Sequence, residues 1–158
     1  MAKRILRVKA RPLIAALRAL GRSGTRLPAY RLSGYTLALD TSSGRLYVTR
    51  RRRALGVIRV SGVFRINDRA TKKEIFDVKT IVENPVAVAR GVAILAGLEA
   101  RCPFCNRVLD SKDKLRGIGR RCLEKVGWGE KKTNAAAAES DTLYERSEAW
   151  PFVKRKSK

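Results

Sequence analysis

The chain has 158 residues, of which 36 are lysine or arginine, 14 are aspartate or glutamate and none is histidine, for a net charge of +22. That length suits one modest domain with a small appended module. The missing histidine removes both an imidazole general base and the usual nitrogen metal ligand, and no apolar run approaches the ~18 residues needed to span a bilayer. A like-charge excess of this size repels itself unless a polyanion shares the space, so nucleic acid is the expected partner, with affinity falling steeply as salt rises.

Residues 1–34 hold nine lysines and arginines, Arg4, Arg7 and Arg11 among them, and no acid; Asp40 is the first carboxylate. Pro12 suits the first position of a helix, Leu13, Ile14, Leu17 and Leu20 recur at helical spacing, and Gly21 suits its end. This predicts a basic N-terminal arm built on an amphipathic helix. Three roles fit it: an arm that tracks phosphates, a helix docked on the core with a solvated basic rim, or an organellar transit peptide.

Residues 35–98 read as an α+β domain. Tyr35, Leu37 and Leu39 alternate, Thr41-Ser42-Ser43-Gly44 supplies turn chemistry, and Leu46 and Val48 resume, which predicts a β-hairpin. It runs into Arg50-Arg51-Arg52-Arg53, four guanidinium groups that cannot all face one way. A second hairpin, 57–60 with 63–66, turns through Ser61-Gly62 as a two-residue loop. One sheet face would then carry Leu37, Leu39, Leu46, Val48, Ile58, Val60, Phe64 and Ile66, and arginines would edge the other. Such a face can hold single-stranded nucleic acid when aromatic rings stack the bases; Tyr35, Tyr47 and Phe64 are the rings at hand. Equally, Arg59 and Arg65 can simply keep that face wet.

Thr71-Lys72-Lys73-Glu74 is a capping box that starts a helix with Ile75, Val78 and Val82 as its buried stripe. Asn84-Pro85 ends it and caps a second helix, whose Val86, Ala89, Val92, Ala93 and Ala96 are small enough for close packing on the sheet. Asp68 with Asp77-Val78-Lys79 echoes the carboxylate and lysine set of metal-dependent nucleases. That chemistry prefers adjacent strands, whereas Asp77 falls in a predicted helix, so a nuclease ranks third among the functions considered.

All three cysteines lie in the next stretch, residues 99–129. Cys102-Pro103-Phe104-Cys105 is a tight knuckle that turns two sulfurs toward one point, and Gly117-Ile118-Gly119 allows the chain to bring back Cys122 in the first turn of a short helix, where the helix end favours thiolate. Thiolates at this spacing suit tetrahedral Zn²⁺. The fourth ligand would come from Asp110, preferred here, or from Asp113, Glu124, Glu99, a water or a second chain. Lys125, three residues beyond Cys122, cannot serve while protonated. The alternative is three reduced cysteines without metal. An odd count and no secretory leader argue against a disulfide scaffold and for a reducing cytoplasm.

The run Asn106-Arg107-Val108-Leu109-Asp110, followed by Arg116-Gly117-Ile118-Gly119-Arg120-Arg121-Cys122, resembles a three-cysteine domain of unknown function found in actinobacterial and bacteriophage proteins. In that domain the knuckle is usually followed by Gly-Arg-x-Leu and the third cysteine is preceded by Gly-Ile-Gly-Pro; here Asn106 and Arg120 stand at the glycine and proline positions. The resemblance covers residues 98–128 strictly and 35–128 loosely. It implies a zinc site and a phage or bacterial source, hence a bacterial cytoplasm, and no particular activity.

Residues 130–158 read as a flexible tail with a basic end, in which the apolar Trp150-Pro151-Phe152-Val153 could dock on a protein. The sequence therefore predicts an α+β fold: a small antiparallel sheet with two or three helices and a C-terminal treble-clef-like zinc module. The function that fits is a zinc-containing nucleic-acid-binding protein of low sequence specificity. Its contacts would come from Arg4, Arg7, Arg11, Arg50, Arg51, Arg52, Arg53, Arg107, Arg116, Arg120 and Arg121, which position phosphate without reading bases. The alternative is an adaptor that binds a host or phage complex through the zinc module and the Trp150 peptide.

Overall fold

The structure, a computed structural model, describes residues 4–128; the expected tail, with Trp150 and the basic end, lies outside them. Contacts divide the chain after Glu83 into two units.

The first unit is built on six antiparallel strands: β1 (Arg4–Arg7), β2 (Ala29–Leu32), β3 (Tyr35–Asp40), β4 (Arg45–Arg50), β5 (Arg53–Ile58) and β6 (Val63–Ile66), in spatial order β1-β6-β5-β4-β3-β2. From β2 to β6 the chain meanders, and β1 joins the far edge, with Arg4 opposite Ile66 and Arg7 opposite Val63. Because β1 and β2 occupy opposite edges, the chain between them must cross the sheet. It does so with α1 (Arg11–Arg22), about 18 Å of helix against about 24 Å between the edge strands. α1 buries Leu13, Ile14, Ala16, Leu17 and Leu20, each leucine or isoleucine contributing about 1.5–3 kcal/mol. Residues 4–22, read from sequence as part of a basic arm, thus form an edge strand and a docked helix.

Alternation decides which sheet face is covered. Leu37, Leu46, Val48, Ile58 and Phe64 are all essentially inaccessible. Tyr35 shares their face and is equally buried, so of the three aromatic rings considered for stacking only Tyr47 remains accessible. Val60, expected on the inner face, is exposed instead because residues 59–62 form a four-residue turn rather than a two-residue loop: the amide of Gly62 donates to Arg59 O at 2.9 Å and that of Arg59 to Val63 O at 2.9 Å.

Two tight turns lie at one end of the sheet. Ser33 and Gly34 link β2 to β3 with φ of 50° and 82°, and Arg51 and Arg52 link β4 to β5 with φ of 48° and 69°. Both central residues of such a turn need positive φ, which Asn-Gly supplies readily and arginine does not. The run of four arginines is therefore a hairpin tip, with Arg50 and Arg53 paired across its base.

That base rests on Glu74, in α2 (Lys72–Glu83), a residue only 2% exposed. The capping box forms as the sequence predicts: the Thr71 amide donates to Glu74 Oε2 at 2.9 Å, and the Glu74 amide donates to Thr71 Oγ1 at 3.1 Å. Glu74 Oε1 also receives Arg50 Nη1 at 3.4 Å and Arg53 Nη2. Arg50 lies 5.1 Å above the Tyr35 ring, and the Tyr35 hydroxyl donates to Asp77 Oδ2 at 2.6 Å. Burial raises the Asp77 carboxyl above its ordinary range, opposed by the Tyr35 hydrogen bond and by Arg50. Burial also works against the charged Glu74, but the Thr71 amide and the two guanidiniums outweigh it and hold its carboxyl below the ordinary 4.5.

The second unit holds α3 (Pro85–Ala96), a 3₁₀ turn (Gly97–Glu99), α4 (Ser111–Arg116) and α5 (Arg120–Lys125). Pro85 opens α3, while Asn84 makes no side-chain cap bond to it. The α3 residues that become buried are chiefly small, namely Ala87, Val88, Ala89, Gly91 and Ala93, rather than the Val86, Val92 and Ala96 of the sequence pattern. No helix of the described residues is long and apolar enough to cross a membrane.

Glu74→Gln keeps an acceptor for Thr71 but removes the charge facing two guanidiniums, and should lower stability by roughly 2–4 kcal/mol near neutral pH in urea denaturation. The carboxyl is depressed in the folded state, so its contribution is present above the ordinary value of 4.5 and is lost as pH falls through the folded value. Wild type and variant should therefore converge in acid. A constant gap down to strong acid would show that the charge of Glu74 is not what stabilises the hairpin.

Candidate metal centre

The knuckle forms on a short two-stranded element. Arg101 and Val108 bridge in antiparallel fashion, Leu109 donates its amide to Ala100 O at 2.8 Å, and Cys102 donates to Arg107 O at 2.9 Å. The turn closes when the Asn106 amide reaches Cys102 O at 2.9 Å. Asn106 takes φ of 63°, a left-handed conformation that asparagine tolerates better than other non-glycine residues.

From the knuckle the chain enters α4. Asp110 is its N-cap, accepting the Asp113 amide at 2.8 Å through Oδ1. Gly117 ends it at φ 76° and lies so close to α3 that a methyl group there would run into the backbone of Ala89 and Arg90. Gly119 then caps α5, Arg120 takes the first helical position, where proline is otherwise favoured, and Cys122 sits in the first turn. Trp128 closes the module edge-on against Phe104, with ring centroids 5.8 Å apart.

These elements gather the three sulfurs, Cys102 and Cys122 buried and Cys105 exposed, within 4.8 Å of one another, and none is in a disulfide. Three sulfurs on a tetrahedron around zinc stand about 3.8 Å apart for a Zn–S bond of about 2.3 Å, so modest side-chain adjustment completes the fit. Cys102 is biased to thiolate, its thiol held below the ordinary range by the hydrogen bond from Cys122 and, against burial, by the amides of Cys105, Gly119 and Phe104. Donating that hydrogen bond, together with burial, pushes the Cys122 thiol up. Metal would replace the shared proton as the link between the two sulfurs.

Among the described residues, no carboxylate joins this sulfur group. Asp110 and Asp113 stand in the wall of the same cavity, and Glu124 is exposed and meets Arg120 at 3.4 Å. Asp110, preferred from sequence as the fourth ligand, is placed as a helix cap.

The cavity, about 630 Å³, is also lined by Arg107, Lys112, Arg116, Arg120, Arg121 and Lys125. Four of the arginines singled out in the sequence are thus brought together around the cysteines. The remaining ones are spread over the first unit. Arg4 donates from Nη1 to the carbonyls of Asn67, Asp68 and Ala70, clamping that loop, and Arg50 and Arg53 are held by Glu74. Arg7, Arg11, Arg51 and Arg52 are exposed. Asp77 of the nuclease-like set is 0% exposed and bonded to Tyr35 within α2, a structural setting.

No family model, curated protein or solved structure matches this chain.

Native mass spectrometry should find one zinc ion per chain. Cys122→Ser should lose it, whereas Asp110→Asn, which can still cap α4, should retain it. Zinc loss in Asp110→Asn would make that carboxylate a ligand, and a metal-free wild type purified with zinc present would remove the centre altogether.

Proposed function

We propose that the chain is a zinc-stabilised, non-enzymatic nucleic-acid-binding protein of low base specificity. In this reading Cys102, Cys105 and Cys122 hold Zn²⁺ in a treble-clef-like module of the kind found in phage and bacterial proteins, and the metal fixes the surrounding arginines in place. The observation that carries the reading is the cavity at the cysteines, where six basic side chains face two carboxylates, one of them already capping α4.

Elsewhere, four of the carboxylates among the described residues are occupied within the protein. Glu74 holds Arg50 and Arg53, Asp77 accepts from Tyr35, Glu83 accepts the Lys9 amide at 3.0 Å, and Asp40 accepts from the hydroxyls of Ser42 and Ser43, both at 2.7 Å. Arg7, Arg11, Arg51 and Arg52 are exposed and can meet external anions. Arg51 and Arg52 add a rigid pair at a hairpin tip, in a conformation that costs about 1–3 kcal/mol per residue. Strained polar residues of this kind are characteristic of binding sites. Guanidinium meets phosphate in a bidentate fork, so such contacts fix register and add affinity without selecting sequence.

Fluorescence anisotropy with labelled DNA and RNA, from about 50 to about 200 mM salt, should give log affinity that falls steeply and linearly with log salt. Replacing both Arg120 and Arg121 by alanine should reduce the magnitude of that slope by roughly 2 without unfolding the chain. An unchanged slope would remove the metal cavity from the binding surface, and no binding by a folded, zinc-loaded protein at low salt would overturn the function.

A further inference from the structure

We infer that the uncovered face of the sheet is a second site, one that takes a single-stranded nucleic acid by stacking a base on Tyr47 and holding its phosphates with Arg45, Arg59 and Arg65. This deepens the function proposed above and rests on it, but the residues are different and so is the chemistry.

The register fixes which side chains share the face. Ile5, Arg65, Val57 and Tyr47 follow one another across β1, β6, β5 and β4 in one row of paired residues. They are opposite in parity to the buried Phe64, Ile58 and Leu46, so they point away from the face that the core covers. Tyr47 is 44% exposed and Ile5 55% exposed, and Arg45 and Arg65 are exposed as well. A large aromatic ring held open on a sheet is the feature to be explained, since every other tyrosine or phenylalanine of β2 to β6 is fully buried.

Around the ring is a hollow of about 280 Å³ lined by Arg45, Tyr47, Val57, Arg59, Arg65 and Ile66, with Asn67 at its end. Among the described residues it contains three guanidiniums and no carboxylate. The nearest acid in register is Asp40, opposite Arg45, and its two oxygens are taken by Ser42 and Ser43. Asn67 is pinned by donating Nδ2 to Ala54 O at 3.1 Å and its amide to Leu55 O at 2.8 Å, which keeps that wall in place. The hollow falls just below the roughly 300–1,000 Å³ of pockets that enclose drug-sized ligands, and matches one flat base lying against the ring and Val57.

Tyr47 and Arg65 stand two strands apart, about 10 Å, so a base on the first leaves its flanking phosphates within reach of the second. The chemistry selects a single strand. A duplex offers phosphates to the arginines, but its bases are stacked on each other and leave the phenol ring without a partner, whereas an unpaired base has a free π-face. At the metal cavity, by contrast, Phe104 is buried and meets Trp128 edge-on, so that site offers phosphate contacts alone.

The test uses the full zinc-loaded chain, fluorescein-labelled oligothymidylate and an equal-length duplex, with Tyr47→Ala and Tyr47→Phe compared by circular dichroism to verify folding. Tyr47→Ala should weaken oligothymidylate binding roughly 5- to 150-fold and leave duplex affinity unchanged; Tyr47→Phe, which keeps the ring, should bind as wild type does. Ultraviolet crosslinking of oligothymidylate should mark the peptide containing Tyr47. Unchanged oligothymidylate affinity in Tyr47→Ala, or equal loss on both ligands, would overturn the stacking site while leaving nucleic-acid binding in place. A wild type that binds neither ligand at low salt would remove both this site and the function it deepens.

Discussion

The carboxylate of Glu74 joins three elements of the first unit. Its oxygens hold the start of α2 through Thr71 and the base of the β4–β5 hairpin through Arg50 and Arg53. In a chain of net charge +22, four consecutive arginines would otherwise repel one another and open the turn they form. Anchoring the outer two on a buried acid lets the inner two project. Tyr35 extends the same junction, with Arg50 against its ring and Asp77 on its hydroxyl, so that helix, hairpin and sheet meet in one polar network on the covered face of the sheet. A buried network of this type is favourable only when its members stay together, because removing one strands the charge of another.

Much of this was legible in the sequence where a local rule has a single reading. The capping box at Thr71 and Glu74, the β3–β4 hairpin, the helix opened by Pro12 and the gathering of Cys102, Cys105 and Cys122 all follow from spacing within a few residues. What was not legible depends on long-range placement. β1 is four residues long and acquires its strand character only by pairing with β6, some sixty residues on. β2 carried a readable signal in Ser33-Gly34, a turn dipeptide between Tyr30-Arg31-Leu32 and Tyr35-Thr36-Leu37, which the basic composition of the surrounding arm obscured. Arg51-Arg52 gave none, since local preference opposes the positive φ that the hairpin imposes on both residues.

The same distinction applies to the functional residues. Charge alone made Arg4 and Arg50 equivalent to Arg51 and Arg120, yet Arg4 clamps a loop and Arg50 is folded into the Glu74 junction. Tyr47 could be found only by parity: it alternates with Leu46 and Val48, and the strand pattern that buries those two exposes it. Asp110 reads as a ligand because it is an acid near cysteines; an aspartate three residues before Asp113 at the start of a helix is equally a cap, and here one of its oxygens forms that cap.

The second unit poses the harder physical problem, because its basic side chains converge instead of spreading out. α4 and α5 have six residues each, far below the ~12–15 at which an isolated helix becomes even marginally stable, and Arg107, Lys112, Arg116, Arg120, Arg121 and Lys125 all line one cavity. Something must hold these short elements against mutual repulsion. Gly117 lets α4 seat directly on the backbone of α3, Phe104 meets Trp128 edge-on, and Leu109, Ile118 and Leu123 are buried within the module. Zinc bound by thiolates from the knuckle and from α5 would tie the two segments that carry most of these cations, and its binding energy would then be folding energy for the module. On that account the cysteines and the arginines would form one device, in which the metal would supply the rigidity that lets a small module present so much positive charge at one place.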